Sequence, residues 1–495
     1  FIQQKEDSIL IDKIFNKQKA DERKKWLGEY DRNRYLNVET KTISYEQFID
    51  NELIHFSKYD CDRSIPNGVD GMKLSQRKIL FSAFKKRLYQ EIKVAQFSGY
   101  VSEQSGYHHG EASLNGAIVN MAQDFVGSNN IHLLLPNGQF GTRLQGGKDS
   151  ASERYIYTKL NPLTRLIFRK EDDCILNYLD DDGLSVEPVF YVPIIPMVLV
   201  NGALGIGTGF ATNIPCYDPK QIIYNIKQKI QDSESLMDYQ DTELFPSYRG
   251  FKGTIVKDSE HKYITKGCYD VKGNSIIINE LPIGCWNESY ISFLEKCLDN
   301  KKFNLRDYKD LSTDKDINIE LVFSSAANLK NPDNVKKMVD NLKLTTSLST
   351  SNMYLFNKNE SLKKYNNVND ILNDFIDTRL MYYTKRKEKQ IEQMTAQLML
   401  YSNKYKFIIE LLNDTIDLRK KKYSEIHLLL TEKTYDKIED SYNYLTKMPM
   451  DMVNEENVEK LKNEYDSTKS CLEELKNMTN IQMYYKELEE LEKAI

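Results

Sequence analysis

Between Ile391 and the C-terminus the apolar residues recur at alternating spacings of three and four, and nothing else in the chain restricts its fold so tightly. The first run is Ile391, Met394, Leu398, Tyr401, Tyr405, Ile408 and Leu412. The second is Val458, Leu461, Tyr465, Thr468, Leu472 and Leu475, and the third Ile481, Tyr484, Leu488, Leu491 and Ile495. Such alternation draws one narrow seam along a helix, and another helix is what covers a seam of that width. The plain reading of these heptads is coiled-coil packing. The simplest geometry is an antiparallel hairpin: an outgoing arm over 366–414, a small helical tip over 415–455 that ends near Met448-Pro449-Met450, and a return arm over 456–495. At 1.5 Å per residue a 45-residue arm reaches on the order of 65 Å. A tip held so far out is most economically met by its own copy in a twofold dimer.

A chain of 495 residues exceeds what one core organises and implies roughly two to four domains. Its 40% apolar and 28% charged residues fit a soluble, largely helical protein. No apolar run approaches the ~20 residues that cross a bilayer, so no membrane role is expected. The chain opens on Phe1, which suggests a piece of a longer protein. Seven scattered cysteines include no CxxC pair, which argues against a zinc site and a disulfide framework and for a reducing compartment.

The net charge of −5 counts against a nucleic-acid binder, but its distribution counts the other way. From Arg63 to Lys93 stand eight cations (Arg63, Lys73, Arg77, Lys78, Lys85, Lys86, Arg87 and Lys93) against Asp70 and Glu91. A solvated helix face is the bland explanation of such a cluster. In chain order, residues 1–50 read as a helical connector and arm. Residues 51–165 read as a compact helical domain with short strands, a helix-turn-helix or winged-helix unit. Residues 166–365 alternate strand-like runs with helices, as in FKGTIV (251–256), KYITKGCYDV (262–271), NSIIINELP (274–282) and INIELVFS (317–324), and read as an α/β shoulder. The fold class expected is a multidomain α+β protein ending in a long antiparallel coiled coil.

The chemistry gathers around Arg154-Tyr155. One tyrosine among 32 is ordinarily structural. Here Arg154 adjoins it, Arg143 and Lys148 lie close by in a loop containing Gly138, Gly141, Gly146 and Gly147, and the basic domain is just upstream. A phenol with a pKa of about 10 is a weak nucleophile, and neighbouring cations favour its phenolate and stabilise charge developing on phosphorus. The reading is a tyrosine aimed at a DNA phosphate. His108 and His109 lack a third ligand at metal spacing, so no metal site is expected; one core histidine and one phosphate contact is the simpler division. Gly205-Ile206-Gly207 follows an apolar run, but no phosphate-binding helix start or ribose-binding acid accompanies it, so a nucleotide fold is set aside.

At these residues the chain resembles the DNA breakage-reunion core of type IIA topoisomerases, nearest the eukaryotic topoisomerase II branch. The blocks are RSIPNGVDGMKLSQRK (63–78), KVAQFSGYVSE (93–103), YHHGEASL (107–114), NMAQDFVGSNN (120–130), GQFGTRLQGGKDSASERYI (138–156), YVPIIPMVLVNGALGIGTGF (191–210) and LTTSLSTSNMYLF (344–356). The resemblance implies that Tyr155 attacks a backbone phosphate and stays joined to the 5′ end, with Arg154 and His109 stabilising the transition state. It implies DNA contacts from Arg63 and Lys73, and an Ile206 wedge between base steps. With the basic cluster and the glycine loop, the expected DNA-binding set is Arg63, Lys73, Arg77, Lys78, His108, Arg143, Lys148 and Ile206. Expected partners are double-stranded DNA and a second copy, joined through the tip and the winged-helix domains. The expected location is the nucleus, or a viral or cytoplasmic replication site if the source is a large DNA virus.

The chain departs from the family pattern at Leu74-Ser75, where Pro-Gly is usual, and at Glu153, where proline is usual. It also carries no EGDSA-like block and no DxDxD cluster. The resemblance therefore places the Mg2+ ligands in an upstream toprim domain and the ATP site upstream of that, and these residues alone are expected to cleave poorly or not at all. A DNA-binding architectural protein and a coiled-coil scaffold are the competing readings. The first does not need Tyr155, Arg154 and His109 together; the second leaves the cation cluster unexplained.

Overall fold

The structure is a computed structural model that describes residues 1–2, 4–31, 33–232, 242–300, 304–324, 339–419 and 421–495. The chain divides into two compact units, one of Phe1–Arg379 with Glu487–Ile495 and one of Leu380–Lys486.

In the first unit, helix α1 (Ile54–Ser64) stops where Ile65 turns extended ahead of Pro66, the conformation a following proline imposes. A tight turn then leads to α2 (Leu74–Lys86). Asp70 accepts from the Met72 amide at 2.9 Å, and Gly71 has a φ of +70°, where a Cβ would lie 2.4 Å from the Val198 nitrogen. Ile79, Leu80 and Ala83 give α2 its buried face. The short strand β1 (Ile92–Lys93) runs into α3 (Val94–Ser105), which ends on left-handed Gly106, a common helix stop. Next come α4 (Glu111–Ala122), β2 (Leu134–Asn137) and β3 (Tyr157–Leu160), and the strands form an antiparallel sheet in the order β1-β3-β2. Helices α2, α3 and α4 against this small sheet have the make-up of a winged helix.

The proline-broken apolar stretch packs as core, with Ile194, Ile195 and Met197 through Val200 buried. It emerges as the hairpin β4 (Ala203–Gly207) and β5 (Phe210–Ile214). Beyond it lie β6 (Thr254–Ser259), β7 (Lys262–Lys266), β8 (Cys268–Lys272), β9 (Ser275–Glu280), α5 (Asn287–Asp299), β10 (Leu305–Asp310), β11 (Ile319–Phe323) and β12 (Thr345–Ser349). They make two antiparallel sheets, ordered β8-β9-β11-β10 and β12-β7-β6. Tyr290, Leu294 and Cys297 of α5 pack on Ile276, Ile278, Leu321 and Phe323 of the larger sheet. KYITKGCYDV, one run in the sequence, is two strands in two sheets. The break falls at Gly267, where a Cβ would meet the Glu280 carbonyl at 2.3 Å.

Helix α6 (Val368–Leu412) is 45 residues long, α7 (Glu455–Asn477) has 23, and α8 (Asn480–Ala494) follows. Within the second unit these arms are antiparallel. The rings of Tyr383 and Tyr484 lie 5.0 Å apart, and Lys387 Nζ donates to the carbonyls of Lys476 at 3.1 Å and Met478 at 2.7 Å. Between the arms sits a small core of Phe407, Ile416, Leu430, Tyr435, Tyr442 and Leu445. Ile408, Leu472, Tyr484, Leu488 and Leu491 of the heptad seam are buried, whereas Leu412 is 43% exposed. At that end Phe407 and Leu411 turn into the tip core and the seam gives out. No disulfide joins the described cysteines.

Candidate active site

The loop before Tyr155 is held by its own backbone. Gly141 (φ +96°) passes so close to Gly147 that a Cβ would lie 2.5 Å from the Gly147 carbonyl oxygen. The Thr142 amide and hydroxyl donate to the Asp149 carboxylate at 2.8 and 2.6 Å, and Gln123 Nε2 donates to the Phe140 carbonyl at 2.9 Å. Two further bonds fix the ends of the Arg154-Tyr155 pair to the first turn of α3: the Ala95 amide donates to the Glu153 carbonyl at 3.1 Å and the Val94 amide to the Ile156 carbonyl at 3.0 Å. Ile156 is buried, while Arg154 is exposed and Tyr155 is 76% exposed. Among the described residues the Tyr155 hydroxyl has no hydrogen-bond partner, so a rigid frame presents an open phenol. Glu153 is half-buried and accepts from the Ser152 hydroxyl at 3.3 Å.

A second cluster forms where α1 ends and the loop into α4 begins. Tyr59, Arg63, Lys78, Tyr107, His108 and His109 line one concave site. The Tyr59 hydroxyl bonds His109 Nε2 and lies 3.4 Å from His108 Nε2. Tyr107 meets the other side of His109 edge-on at 5.4 Å, and the Arg63 guanidinium stands 5.9 Å from the Tyr59 ring centre. Burial, then the charges of Arg63, His108 and Lys78, hold the His109 imidazole below the usual histidine range, and burial pushes the Tyr59 phenol up. Both groups are therefore neutral at neutral pH.

The third feature is the β4–β5 hairpin. Gly205 and Gly207 face α1 so closely that a Cβ on Gly205 would sit 1.9 Å from the Ser64 carbonyl oxygen and one on Gly207 3.1 Å from the Cys61 backbone. The Thr208 amide and hydroxyl both donate to Asp60 at 2.9 Å. With a strand's period of two, the glycines turn inward and Leu204 and Ile206 turn out, 70% and 79% exposed. The glycines read in the sequence as a weak nucleotide signal are there so that this hairpin can lie against a helix. Lys73 Nζ donates to the Leu204 carbonyl at 2.8 Å, and burial lowers the lysine's pKa.

Three of the cations expected at the DNA are buried and paired with carboxylates. Arg77 is buried and forms a forked pair with Asp70 at 2.7 and 3.2 Å; Lys78 is buried on Glu187 at 2.9 Å; Arg143 is buried against Glu280. A charge in the interior is tolerated only with a partnered opposite charge, and each of these cations is held by a carboxylate of the protein itself. Arg63, His108 and Lys148 are exposed. The structure groups Arg63, His108 and His109, and joins Lys73 to the hairpin of Ile206. Among the described residues no contact joins either group to Tyr155. Tyr59 and Asp60 escaped the sequence reading. The one available signal was spacing, since Tyr59 precedes Arg63 by four residues on one helix face.

Among the described residues no group of three or more His, Cys, Asp or Glu side chains could hold a metal ion, and no helix is long and apolar enough to cross a membrane. The family of the DNA gyrase/topoisomerase IV A-type subunit matches residues 63–490, and the C-terminal associated domain of TOPRIM matches residues 1–61. The chain is 46% identical over 436 residues to DNA topoisomerase 2 of Arabidopsis thaliana, covering 87% of this chain and 29% of that protein. It is 39% identical over 526 residues to DNA topoisomerase 2 of Plasmodium falciparum (99% and 37% covered), and 42% identical over 448 residues to human DNA topoisomerase 2-alpha (87% and 29% covered). The chain thus spans about a third of the length of these relatives. The solved DNA-binding, cleavage and re-ligation domain of Plasmodium falciparum topoisomerase II superposes with a TM-score of 0.89 at 39% identity, covering 99% of this chain and 70% of that one. With an exposed tyrosine framed by arginine and glycine, and a family match over most of its length, the chain belongs to the type IIA DNA topoisomerases, the family of the DNA gyrase/topoisomerase IV A-type subunit, on its eukaryotic topoisomerase 2 branch.

Proposed function

We propose that this chain is the DNA-cleaving core of an ATP-dependent type II topoisomerase, with Tyr155 as its nucleophile. The observation that carries this reading is the exposed, unpartnered Tyr155 beside Arg154 on a loop fixed at both ends. The phenolic oxygen attacks a backbone phosphorus and loses its proton. The 3′ oxygen of the preceding nucleotide leaves and takes up a proton, so the enzyme is joined to the 5′ phosphate. One phosphodiester replaces another, and attack by the 3′ hydroxyl reverses the step. Arg154 and His109 stabilise the charge on phosphorus. Arg63, Lys73, His108 and Lys148 position the duplex, and Ile206 wedges between base steps to bend it. Paired breaks in a twofold dimer let a second duplex pass, which relaxes supercoils and separates linked circles.

Type II topoisomerases as a class use Mg2+ and ATP. Among the described residues no cluster fits a metal, so no step here is routed through one. The TOPRIM-associated match at residues 1–61 supports ligands on a preceding domain, with ATP bound further upstream. The reading also places the protein with the genome it serves, in the nucleus or at a cytoplasmic replication site. The test is ATP-dependent decatenation by the full-length protein that contains this chain. Tyr155→Phe is expected to abolish it while leaving DNA binding intact; full decatenation by the Phe variant would overturn the assignment.

A further inference from the structure

The Tyr59 hydroxyl stands within hydrogen-bond distance of both imidazoles of the His108-His109 pair, and no role falls to it in the reading above. Its ring lies 6.3 Å from His108 at 18° and 5.7 Å from His109 at 31°, with Arg63 on its face. A phenol has one proton to give. His108 Nδ1 lies 3.3 Å from the Gly106 carbonyl, which can only accept, so that nitrogen carries hydrogen and orients His108 without help from Tyr59. The shorter contact is to His109, and between a phenol and an imidazole the phenol is the better donor and the bare ring nitrogen the better acceptor.

We propose that Tyr59 is a positioning residue of the phosphate site, whose hydroxyl donates to His109 Nε2 and so fixes His109 as the Nδ1–H tautomer. The proposal rests on the topoisomerase reading for its consequence: His109 meets the phosphate as a neutral, oriented N–H donor rather than as an added cation. Arg63 and the other nearby cations supply the charge, and Tyr59 sets the direction. The ring that does this belongs to α1, the helix whose next residue, Asp60, holds the hairpin of Ile206. One helix turn thus sets both the histidine and the wedge.

The test is nitrogen NMR on the full chain labelled at its six histidines, with His109→Gln used to assign the His109 signals. Wild type is expected to show His109 protonated at Nδ1 alone. Tyr59→Phe keeps the ring stack and removes only the hydroxyl, and is expected to let the proton redistribute to Nε2. In the full-length protein the same variant is expected to slow DNA cleavage about five- to tenfold, with DNA affinity within twofold of wild type, the effect of one hydrogen bond lost at the reacting group. An unchanged tautomer in Tyr59→Phe overturns the proposal, and so does a changed tautomer with wild-type cleavage. Absence of cleavage by every form, wild type included, would overturn the topoisomerase reading while the tautomer result still decided what Tyr59 does.

Discussion

Cations in this chain divide by burial, and the division has measurable consequences. Arg143→Met leaves the Glu280 carboxylate buried and unpaired, which is expected to cost about 3–5 kcal/mol in urea unfolding without altering the salt dependence of DNA binding. Lys148→Ala is expected to do the reverse: stability within about 0.5 kcal/mol, and a plot of log affinity against log salt less steep by about one. His132 supplies a pH test. Burial, then the charge of Arg249, lowers its pKa below 6.5 against the opposing pull of Asp124, and its Nδ1 is buried without a hydrogen-bond partner among the described residues. The folded state therefore binds this proton less readily than the unfolded one. The stability tied to it is complete above the unfolded value and is lost as pH falls through the folded value. His132→Gln is expected to lose less stability than wild type between neutral pH and pH about 5, read as the shift in urea midpoint; an equal or larger loss would contradict this.

At the scale of elements the β4–β5 hairpin is the most exposed commitment. Gly205→Ala places a methyl against the Ser64 carbonyl, which cannot yield as a side chain can, and is expected to cost about 1–3 kcal/mol in unfolding. Ile206→Ala is expected to leave stability unchanged, because Ile206 is 79% exposed, and to reduce the bend of a bound duplex measured by energy transfer between its ends. An undiminished bend would remove Ile206 from the DNA contacts. The sequence shows some elements and hides others for physical reasons. The coiled coil is legible because a seam covered by one neighbour leaves a strict spacing. The strands are legible because a sheet with one solvated face alternates. The framed tyrosine is legible because tight loops need glycine where φ is positive. Burial of cations is not legible, since it depends on carboxylates distant in sequence, with Lys78 bonded 109 residues away and Arg143 137 away. Tyr59 is hidden for the same reason, its partner His109 lying 50 residues on.

For the whole molecule, the double-strand passage proposed above would need two copies, and the helical tip between the arms is the surface proposed to join them. Sedimentation is expected to give twice the mass of the chain, and a short turn in place of residues 415–455 is expected to weaken the dimer by at least tenfold; a variant that dimerises as before would move the interface elsewhere. The role of Tyr155 as nucleophile is open to one direct measurement. The full-length protein is incubated with Mg2+ and duplex DNA, trapped with denaturant, digested, and the nucleotide-bearing peptide sequenced by mass spectrometry. Wild type is expected to carry a 5′ phosphate esterified to Tyr155, and Tyr155→Phe to give no adduct. A 3′ linkage, an adduct on another residue, or an adduct that survives in the Phe variant would contradict it.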